Sequence, residues 1–419
     1  MPPKSTAGQT QSLFPILLVN FIDTLGFSIV LPFLVVIVLQ FGGDEMIYGF
    51  MSATYSFFQL IGSPVLGTLS DKYGRKKILL ISEIGTFVGW AIFLVALLLH
   101  GAGITSGPGM AIISLPLILL FLSRAVDGLT GGNISVANAY LADISTKAKR
   151  KSNFGKMAAV ANLGLIAGPA LAGVLGASSL GSIVPVIVTL VISFIATIVI
   201  QLQLKDVRSK QASDSSGQAV ITTPKQGRFF IFGLRNVPFM MVLYFLIYLA
   251  FNFFYVAFPI YVASQLKWTV LQLGIFFSVL SGLLVLVQGP FLSWISPRVS
   301  SALLVISGCI LLAGGFALFQ FSSTFLIYAG AVLFALGNGV MWPSFLTILS
   351  NITNDKYQGA VQGFAGSAGS LASIIGLISG AFIYKWVGTG VFNIATVLMV
   401  LIAALSFKLF AIEKNNADN

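Results

Sequence analysis

Runs of about twenty apolar residues, separated by short polar turns, constrain this chain of 419 residues more than any other feature. A helix needs about 20 such residues to cross the hydrocarbon core of a bilayer. Only helices and closed barrels satisfy all backbone polar groups in lipid, and these runs are too long and too uniformly apolar for barrel strands. The sequence therefore predicts an all-α integral membrane protein whose surroundings are the lipid bilayer.

Composition supports this class and excludes others. The chain is 57% hydrophobic and 8% charged, whereas about a quarter of the residues in a soluble protein are charged. The net charge of +11 lies in short turns, so we expect no nucleic-acid partner. One cysteine and one histidine make a zinc site very unfavourable. We expect no catalytic residues, no metal, no cofactor and no enzymatic activity.

The apolar runs predict twelve transmembrane helices in two pseudo-symmetric bundles of six. A polar, linker-like stretch at 205–228 separates an N-terminal bundle, 1–204, from a C-terminal bundle, 229–419. The halves echo each other, because Gly168 follows Gly155 by the same interval as Gly376 follows Gly363. Parallel repeats of this kind hold substrate between the halves near the midplane. The predicted spans are 13–40, 47–69, 78–99, 110–142, 153–177, 183–204, 236–263, 270–293, 299–320, 324–350, 358–384 and 388–411.

The distribution of basic residues predicts the orientation of the chain. Of the 23 lysines and arginines, all except Lys267, Lys385 and Arg124 fall in the turns on one side, at the span ends beside those turns or in the two terminal segments. Because basic residues concentrate in cytoplasmic loops, we expect both termini in the cytoplasm. The membrane is then the plasma (inner) membrane, and we expect a functional monomer.

Four charged residues fall inside the predicted spans and away from the span ends, all in the first half: Asp23, Glu83, Arg124 and Asp127. Each costs about 2.5–3.5 kcal/mol at the bilayer centre, so each should face protein or a wet cavity. They are the candidates for proton coupling, with Asp23 leading. The alternatives are a static Asp23–Arg124 pair, an Asp127 that only neutralises Arg124, and a Glu83 that reaches toward the membrane surface.

Aromatic and amide side chains in span seven predict a substrate cavity. Tyr244, Tyr248, Asn252 and Tyr255 recur at three- or four-residue spacing and so share a helix face. Such a face suits flat apolar or cationic ligands, although packing against lipid would produce the same pattern. Weaker candidates of the same kind are Phe57, Phe58 and Trp342.

Two further motifs concern movement between the halves. The turn from Gly67 to Lys77 combines glycines with a basic cluster, and its Asp71 could cap a helix across the interface or belong to a mere charged turn. In span five, small residues form a stripe that lets another backbone approach closely, and Pro169 removes one helical hydrogen bond. The stripe consists of Gly155, Gly164, Gly168 and Gly173.

These motifs resemble those of the major facilitator superfamily, in particular twelve-span drug/proton antiporters of the tetracycline-exporter type. The Gly67–Lys77 turn resembles the superfamily's loop motif, with Lys72 in the place of an arginine. Leu120 to Gly128 resembles its span-four motif, and the span-five stripe with Pro169 resembles its antiporter motif, with Ala172 replacing one glycine. The span-three acid of tetracycline exporters falls on Gly89, and the second-half turn from Gly289 to Arg298 has no acid.

The resemblance implies roles for the motif residues. It assigns proton coupling to Arg124 and bending and sealing of span five to Gly168 and Pro169. The residues that it implies form a conformational latch between the halves are Gly67, Asp71, Gly74 and Arg75.

Together the residues and the resemblance predict a secondary active transporter that works by alternating access. Its partners are protons and a small-molecule substrate, a hydrophobic or cationic compound that is exported. The alternatives are an importer or facilitator of a small metabolite and, in another class, a non-transporting receptor or scaffold.

Overall fold

The computed structural model describes residues 13–30, 32–101, 114–131, 133–145, 147–205, 234, 236–352 and 355–417. Throughout these ranges the regular structure is helical. The first part contains α1 (Phe14–Ile29), α2 (Leu34–Gln40), α3 (Glu45–Tyr73), α4 (Arg75–Gly101), α5 (Leu115–Thr130), α6 (Asn133–Ile144), α7 (Lys147–Gly176) and α8 (Ile183–Gln203). The second contains α9 (Val237–Ser264), α10 (Val270–Leu286), α11 (Leu292–Ile295), α12 (Ser301–Phe319), α13 (Thr324–Asn351), α14 (Asp355–Val387), α15 (Gly390–Ser406) and α16 (Lys408–Ala417).

The helices confirm the membrane class. Within the described residues, ten helical segments are long and apolar enough to cross a bilayer, and the bent pair α1 and α2 makes eleven. Helix α3, with 29 residues, has the length of a span but lies outside this set. The count of twelve therefore stays a prediction that depends on α3. The predicted linker, 205–228, lies outside the described residues apart from Lys205.

Two predicted spans of the first half are broken. The first, 13–40, divides into α1 and α2 with a bend of 42° beside Pro32, which has no N–H for the helical ladder. The fourth, 110–142, divides into α5 and α6 at Gly131, whose N–H closes α5 by donating to the Asp127 carbonyl at 2.6 Å. Both breaks lie in the first half.

Two segments predicted as turns are largely helical. In the Gly67–Lys77 segment, α3 runs to Tyr73 and α4 begins at Arg75, so that Gly74 alone makes the turn. Gly74 has φ +99°, a conformation that residues with a Cβ rarely adopt. In the second half, Val287–Phe291 forms a π-helical turn around Pro290 and joins α10 to α11. Such turns occur where proline breaks the regular ladder.

The halves repeat the same packing. In the first, α7 packs along α1, and in the second, α14 packs along α9. Glycines form both contacts, since Gly168 lies against Ser28 and Ile29 and Gly380 lies against Phe253 and Val256. Between the halves, α7 packs on α10 and α3 packs on α14. These four helices face the space between the halves.

Among the described residues, the close contacts between the halves lie at one end. We call the end of the bundle that carries Asp44 and Lys385 the Asp44 end, and the opposite end the Asp71 end. At the Asp44 end, Gly173 of α7 touches Gly274 of α10, and Gly49 of α3 touches Ala381 of α14. Toward the Asp71 end of the same helices, no described atom lies within 4 Å of the place where a Cβ would project from Gly155, Gly282 or Gly363. The bundle is closed at the Asp44 end and open toward the Asp71 end.

Candidate functional site

A cavity of about 510 Å³ lies between the halves. Its walls come from α1, α2, α3, α5 and α7 on one side and α9, α10, α13 and α14 on the other. The volume falls within the usual range for small-molecule sites, about 300–1,000 Å³. We call it the central cavity. A ligand inside it would touch both halves and would therefore respond to any change in their relative position.

Four of the predicted cavity residues line the central cavity: Tyr248, Asn252, Tyr255 and Trp342. Asn252 Nδ2 is held in place because it donates to the Tyr248 carbonyl at 2.7 Å and to Ser373 Oγ at 3.1 Å.

Three predictions of cavity residues were wrong. Tyr244 lies behind the wall, where its ring stacks on Tyr248 at 5.0 Å and contacts Trp342 at 5.1 Å. Phe57 is 47% exposed on the outer surface, and Phe58 packs toward Gly128 of α5. Both are neighbours of a true wall residue, Tyr55, but lie on other sides of α3 because each residue turns the helix by about 100°.

Sequence reasoning missed the contribution of α3. Tyr48, Ser52, Tyr55 and Gln59 all line the central cavity. They follow one another at intervals of three or four residues, which places them on one helix face. This polar stripe within an otherwise apolar run was a signal available in the sequence.

Arg124 is the one charged side chain among the described residues that line the central cavity. It is 3% exposed, and its Nη1 lies 3.2 Å from Asp127 Oδ2. The guanidinium also lies over the rings of Trp90 and Phe93, at 5.2 and 5.4 Å from their centroids. Its Nε and Nη2 have no hydrogen-bond acceptor among the described residues. Arg124 therefore contributes to the wall of the cavity a guanidinium with two buried donors that lack acceptors among the described residues.

Glu83 lies inside the first half rather than at the membrane surface. Its side chain is fully buried, and Ser193 Oγ of α8 donates to its Oε1 at 2.8 Å. The Asp23 carboxyl of α1 is in hydrogen-bonding contact with Glu83, while Glu83 Oε2 has no donor among the described residues. The alternative in which Glu83 reaches toward the membrane surface does not fit this burial, since α4 turns the side chain inward.

Asp127 of α5 packs against Gly89 of α4, since a Cβ at Gly89 would lie 3.3 Å from the Asp127 Cβ. Asp23, Glu83, Asp127 and Arg124, which we call the charge cluster, are thus brought together from three helices, as their common prediction for proton coupling requires.

A second cavity of about 210 Å³ adjoins the charge cluster. Asp23 and Asp127 line it, together with Thr86 and Ser193. Phe27, Tyr55 and Gln59 line both cavities, and Gln59 Nε2 lies 3.2 Å from Tyr55 Oη. A wall of three side chains therefore stands between the carboxyl groups and the central cavity.

The predicted latch residues form a network within the first half. Arg75 is 7% exposed, and its Nη2 lies 2.5 Å from Asp71 Oδ1. Its Nε lies 3.2 Å from Asp143 Oδ2 of α6, and its Nη1 donates to Ser70 Oγ at 2.5 Å. At Gly67, a Cβ would meet Ser135 Oγ at an ordinary distance of 3.8 Å. A latch to the second half stays a prediction, because the side chains at the start of α14 lie outside the described residues.

The span-five stripe divides between two neighbours. Gly164 and Gly168 lie against the backbone of α1, within the first half. Gly173 lies against Gly274 of α10, in the other half, and the Pro169 carbonyl is close to the same glycine. Helix α7 continues through Pro169, and its role as a bend stays a prediction. The proline leaves the Leu165 carbonyl without a helical donor, and Leu165 lines the central cavity.

An ion pair joins the halves at the Asp44 end. Lys385 Nζ of α14 lies 2.9 Å from Asp44 Oδ2, while Asp44 Oδ1 accepts from the Ile47 amide at 2.9 Å and caps α3. Burial acts to raise the pKa of Asp44, but the Ile47 amide and Lys385 outweigh it, so the pKa lies below 3.8.

The lowered pKa of Asp44 gives a testable expectation. The bridge favours the closed Asp44 end at neutral pH and is lost as the pH falls through the lowered pKa of Asp44. Asp44→Asn keeps a good helix cap but removes the charge. We expect it to raise the open fraction of this end by at most about five-fold, since exposed pairs are weak.

The measurement is the distance between spin labels at Ser179→Cys and Ser323→Cys, which are exposed on the two halves. Glu45→Gln, which neutralises the adjacent acid, is the control and should leave the distance distribution nearly unchanged. An Asp44→Asn distribution identical to the wild-type one would remove the bridge from the closure.

The fold and the cavity define a membrane transporter with two halves. The sequence profile described as the Major Facilitator Superfamily matches residues 16–322 and 240–419. The chain belongs to this superfamily.

Known proteins of the same kind align over nearly the full chain. The tetracycline resistance protein, class B, of Escherichia coli is 25% identical over 407 residues, covering 94% of this chain and 95% of that protein. The crystal structure of the human organic anion transporter MFSD10 (TETRAN) has a TM-score of 0.67 at 19% identity and covers 94% of this chain and 98% of that one. A bacterial homologue of the human lysosomal transporter Spinster has a TM-score of 0.75 at 10% identity, with coverage of 96% and 97%.

Proposed function

We propose that this protein is a proton-coupled exporter of a small, largely apolar compound and that it works by alternating access. The observation that carries the proposal is the central cavity, which is built from both halves, closed at the Asp44 end and adjoined by the charge cluster. The full-length similarity to a tetracycline resistance protein supports export of a drug-like compound over uptake of a metabolite.

The orientation belongs to the same proposal. Basic residues concentrate at the Asp71 end and in the turns beside it, so we place that end and both termini in the cytoplasm. The membrane is the plasma (inner) membrane. The cavity then faces the cytoplasm in the present state, where an exporter collects its substrate. We also propose a functional monomer, since residues of a single chain line the central cavity from both halves.

The carboxyl groups of Asp23 and Glu83 support proton coupling. A hydrogen bond between two carboxyl groups needs one proton, because two carboxylates offer only acceptors. Glu83 Oε2 is a buried acceptor without a donor among the described residues, so a proton shared with Asp23 would satisfy it. Release of that proton leaves two adjacent charges in a low dielectric, which is costly and favours a different arrangement of the halves.

Coupling then acts through the wall between the cavities. The proton site and the central cavity share Phe27, Tyr55 and Gln59. Substrate and proton therefore bind at separate places and influence each other through the equilibrium between inward-open and outward-open states.

Flux across proteoliposomes tests the proposal. Purified protein is reconstituted, a pH gradient is imposed, and uptake of radiolabelled tetracycline and of a panel of aromatic dyes is followed with and without a protonophore. We expect at least one compound to accumulate against its gradient in exchange for protons and to stop doing so when the protonophore is added. Accumulation that is the same with and without the pH gradient would refute proton coupling. Movement of compound and protons in the same direction would refute exchange.

A further inference from the structure

The unused donors of Arg124 point to the chemical class of the substrate. We propose that the central cavity binds an aromatic compound that carries one acidic group, and that this group accepts hydrogen bonds from Arg124 Nε and Nη2. The inference rests on the proposed transport function and narrows its substrate class to anionic compounds. The sequence had predicted a hydrophobic or cationic compound.

The first step concerns the cost of leaving these donors unused. Arg124 is 3% exposed, and neither Nε nor Nη2 has an acceptor among the described residues. An unpaired buried donor on a charged group costs more free energy than an unpaired buried donor on a neutral group. Asp127 meets only Nη1, so its charge compensates the arginine without occupying the other two nitrogens.

The second step concerns geometry. A guanidinium presents its donors in a rigid plane that matches the two oxygens of a carboxylate. Trp90 and Phe93 lie beneath the guanidinium, and Asp127 holds one corner of it. These three contacts fix the plane before a ligand arrives, and this reduces the cost of ordering the side chain on binding.

The third step concerns the rest of the ligand. Across the cavity, the second half contributes Phe251, Phe277, Trp342 and Leu280, with Asn338 and Ser281 among them. Such a wall suits a flat apolar body with few polar atoms. A cation would find no acidic side chain among the described residues that line this cavity, whereas it would face Arg124. The charge and the aromatic wall together favour an aromatic acid.

The test is equilibrium binding to purified protein in nanodiscs, without any gradient. The probes are 2-naphthoate and 2-naphthamide, which differ only in the acidic group, and tetraphenylphosphonium as an aromatic cation. We expect the wild-type protein to bind the acid about 10- to 100-fold more tightly than the amide, the range expected for charge-assisted hydrogen bonds. Arg124→Gln should remove this preference, and Arg124→Lys, which keeps the charge but loses the planar fork, should retain part of it.

Asp127→Asn keeps the inference testable if Arg124→Gln fails to fold. Removing the negative charge beside the guanidinium, while the asparagine oxygen can still accept from Nη1, should increase affinity for 2-naphthoate, a gain that a general loss of structure cannot produce. Equal or tighter binding of the amide or the cation by the wild-type protein, no binding of the acid, or no change in Asp127→Asn would each overturn the proposal. Because no gradient is present, a failure of proton coupling in the flux assay leaves this result unaffected, and the two failures can be told apart.

Discussion

Glu83→Gln is expected to abolish proton-driven accumulation while the protein still folds and exchanges its substrate passively. The glutamine carbonyl can accept from Ser193 as Glu83 Oε1 does at 2.8 Å, and its amide can donate to Asp23 in the place of the shared proton. The variant therefore resembles a permanently protonated site. With one proton exchanged per substrate, a gradient of two pH units permits about 100-fold accumulation, and the variant should fall to about one-fold.

Flux in proteoliposomes, with a pH-sensitive dye in the lumen, measures both substrate and protons. The matched control is Glu413→Gln, which makes the same chemical change where Glu413 caps α12 by accepting from the Ser301 and Ala302 amides at 3.0 and 3.1 Å. That variant should remain coupled. Asp23→Asn should behave like Glu83→Gln. Full coupling in either of the two cluster variants would remove that residue from the proton pathway.

Gly274→Ala is expected to shift the protein toward a state that is open at the Asp44 end. A Cβ on Gly274 would lie 2.6 Å from the Gly173 Cα and from the Pro169 carbonyl oxygen. Both of these atoms belong to the backbone and cannot rotate away from the new Cβ. The steric overlap is therefore removed only if α7 and α10 separate. Overpacking of this kind costs about 1–3 kcal/mol. Because the contact exists only when this end is closed, the ratio of open to closed forms should rise by about 5- to 150-fold.

The spin-label pair at Ser179 and Ser323 reports this change as a longer distance. Gly282→Ala is the matched control, because it makes the same substitution in the same helix at a position with open space beside it. It should leave the distance distribution unchanged. A Gly274→Ala protein with the wild-type distribution would show that the glycine contact does not hold the Asp44 end closed.

The membrane class and the helical fold could be predicted from the sequence because the length and apolarity of a span are local properties. The same holds for the Arg124–Asp127 pair, since residues three apart share a helix face. The break beside Pro32 also has a local cause in the sequence. The sequence analysis nevertheless predicted a single span there, because the apolar run continues through the proline. The break near Gly131 falls at adjacent glycines, which tolerate either a helix or a turn.

The partners of the buried charges could not be predicted in this way. Glu83 is close to Lys77 along the chain, which suggested the membrane surface, but its hydrogen-bond donor is Ser193, 110 residues away. Likewise Arg75 meets Asp143 at a separation of 68 residues. Helix periodicity gives the residues that share a face but not the helix that this face meets. For the same reason the aromatic residues Phe57 and Phe58 were preferred to Tyr55, although only Tyr55 lines a cavity.

Labelling of a single cysteine in the central cavity tests alternating access most directly. Ser281→Cys places a thiol in the cavity wall, and Cys309→Ala removes the native cysteine, which is buried. An impermeant thiol reagent is applied from either face of the membrane. We expect labelling from the Asp71 side in the resting protein and from the Asp44 side when Gly274→Ala is added. Labelling from only one side in both proteins, or from both sides at once in either, would contradict a cavity that opens to one face at a time.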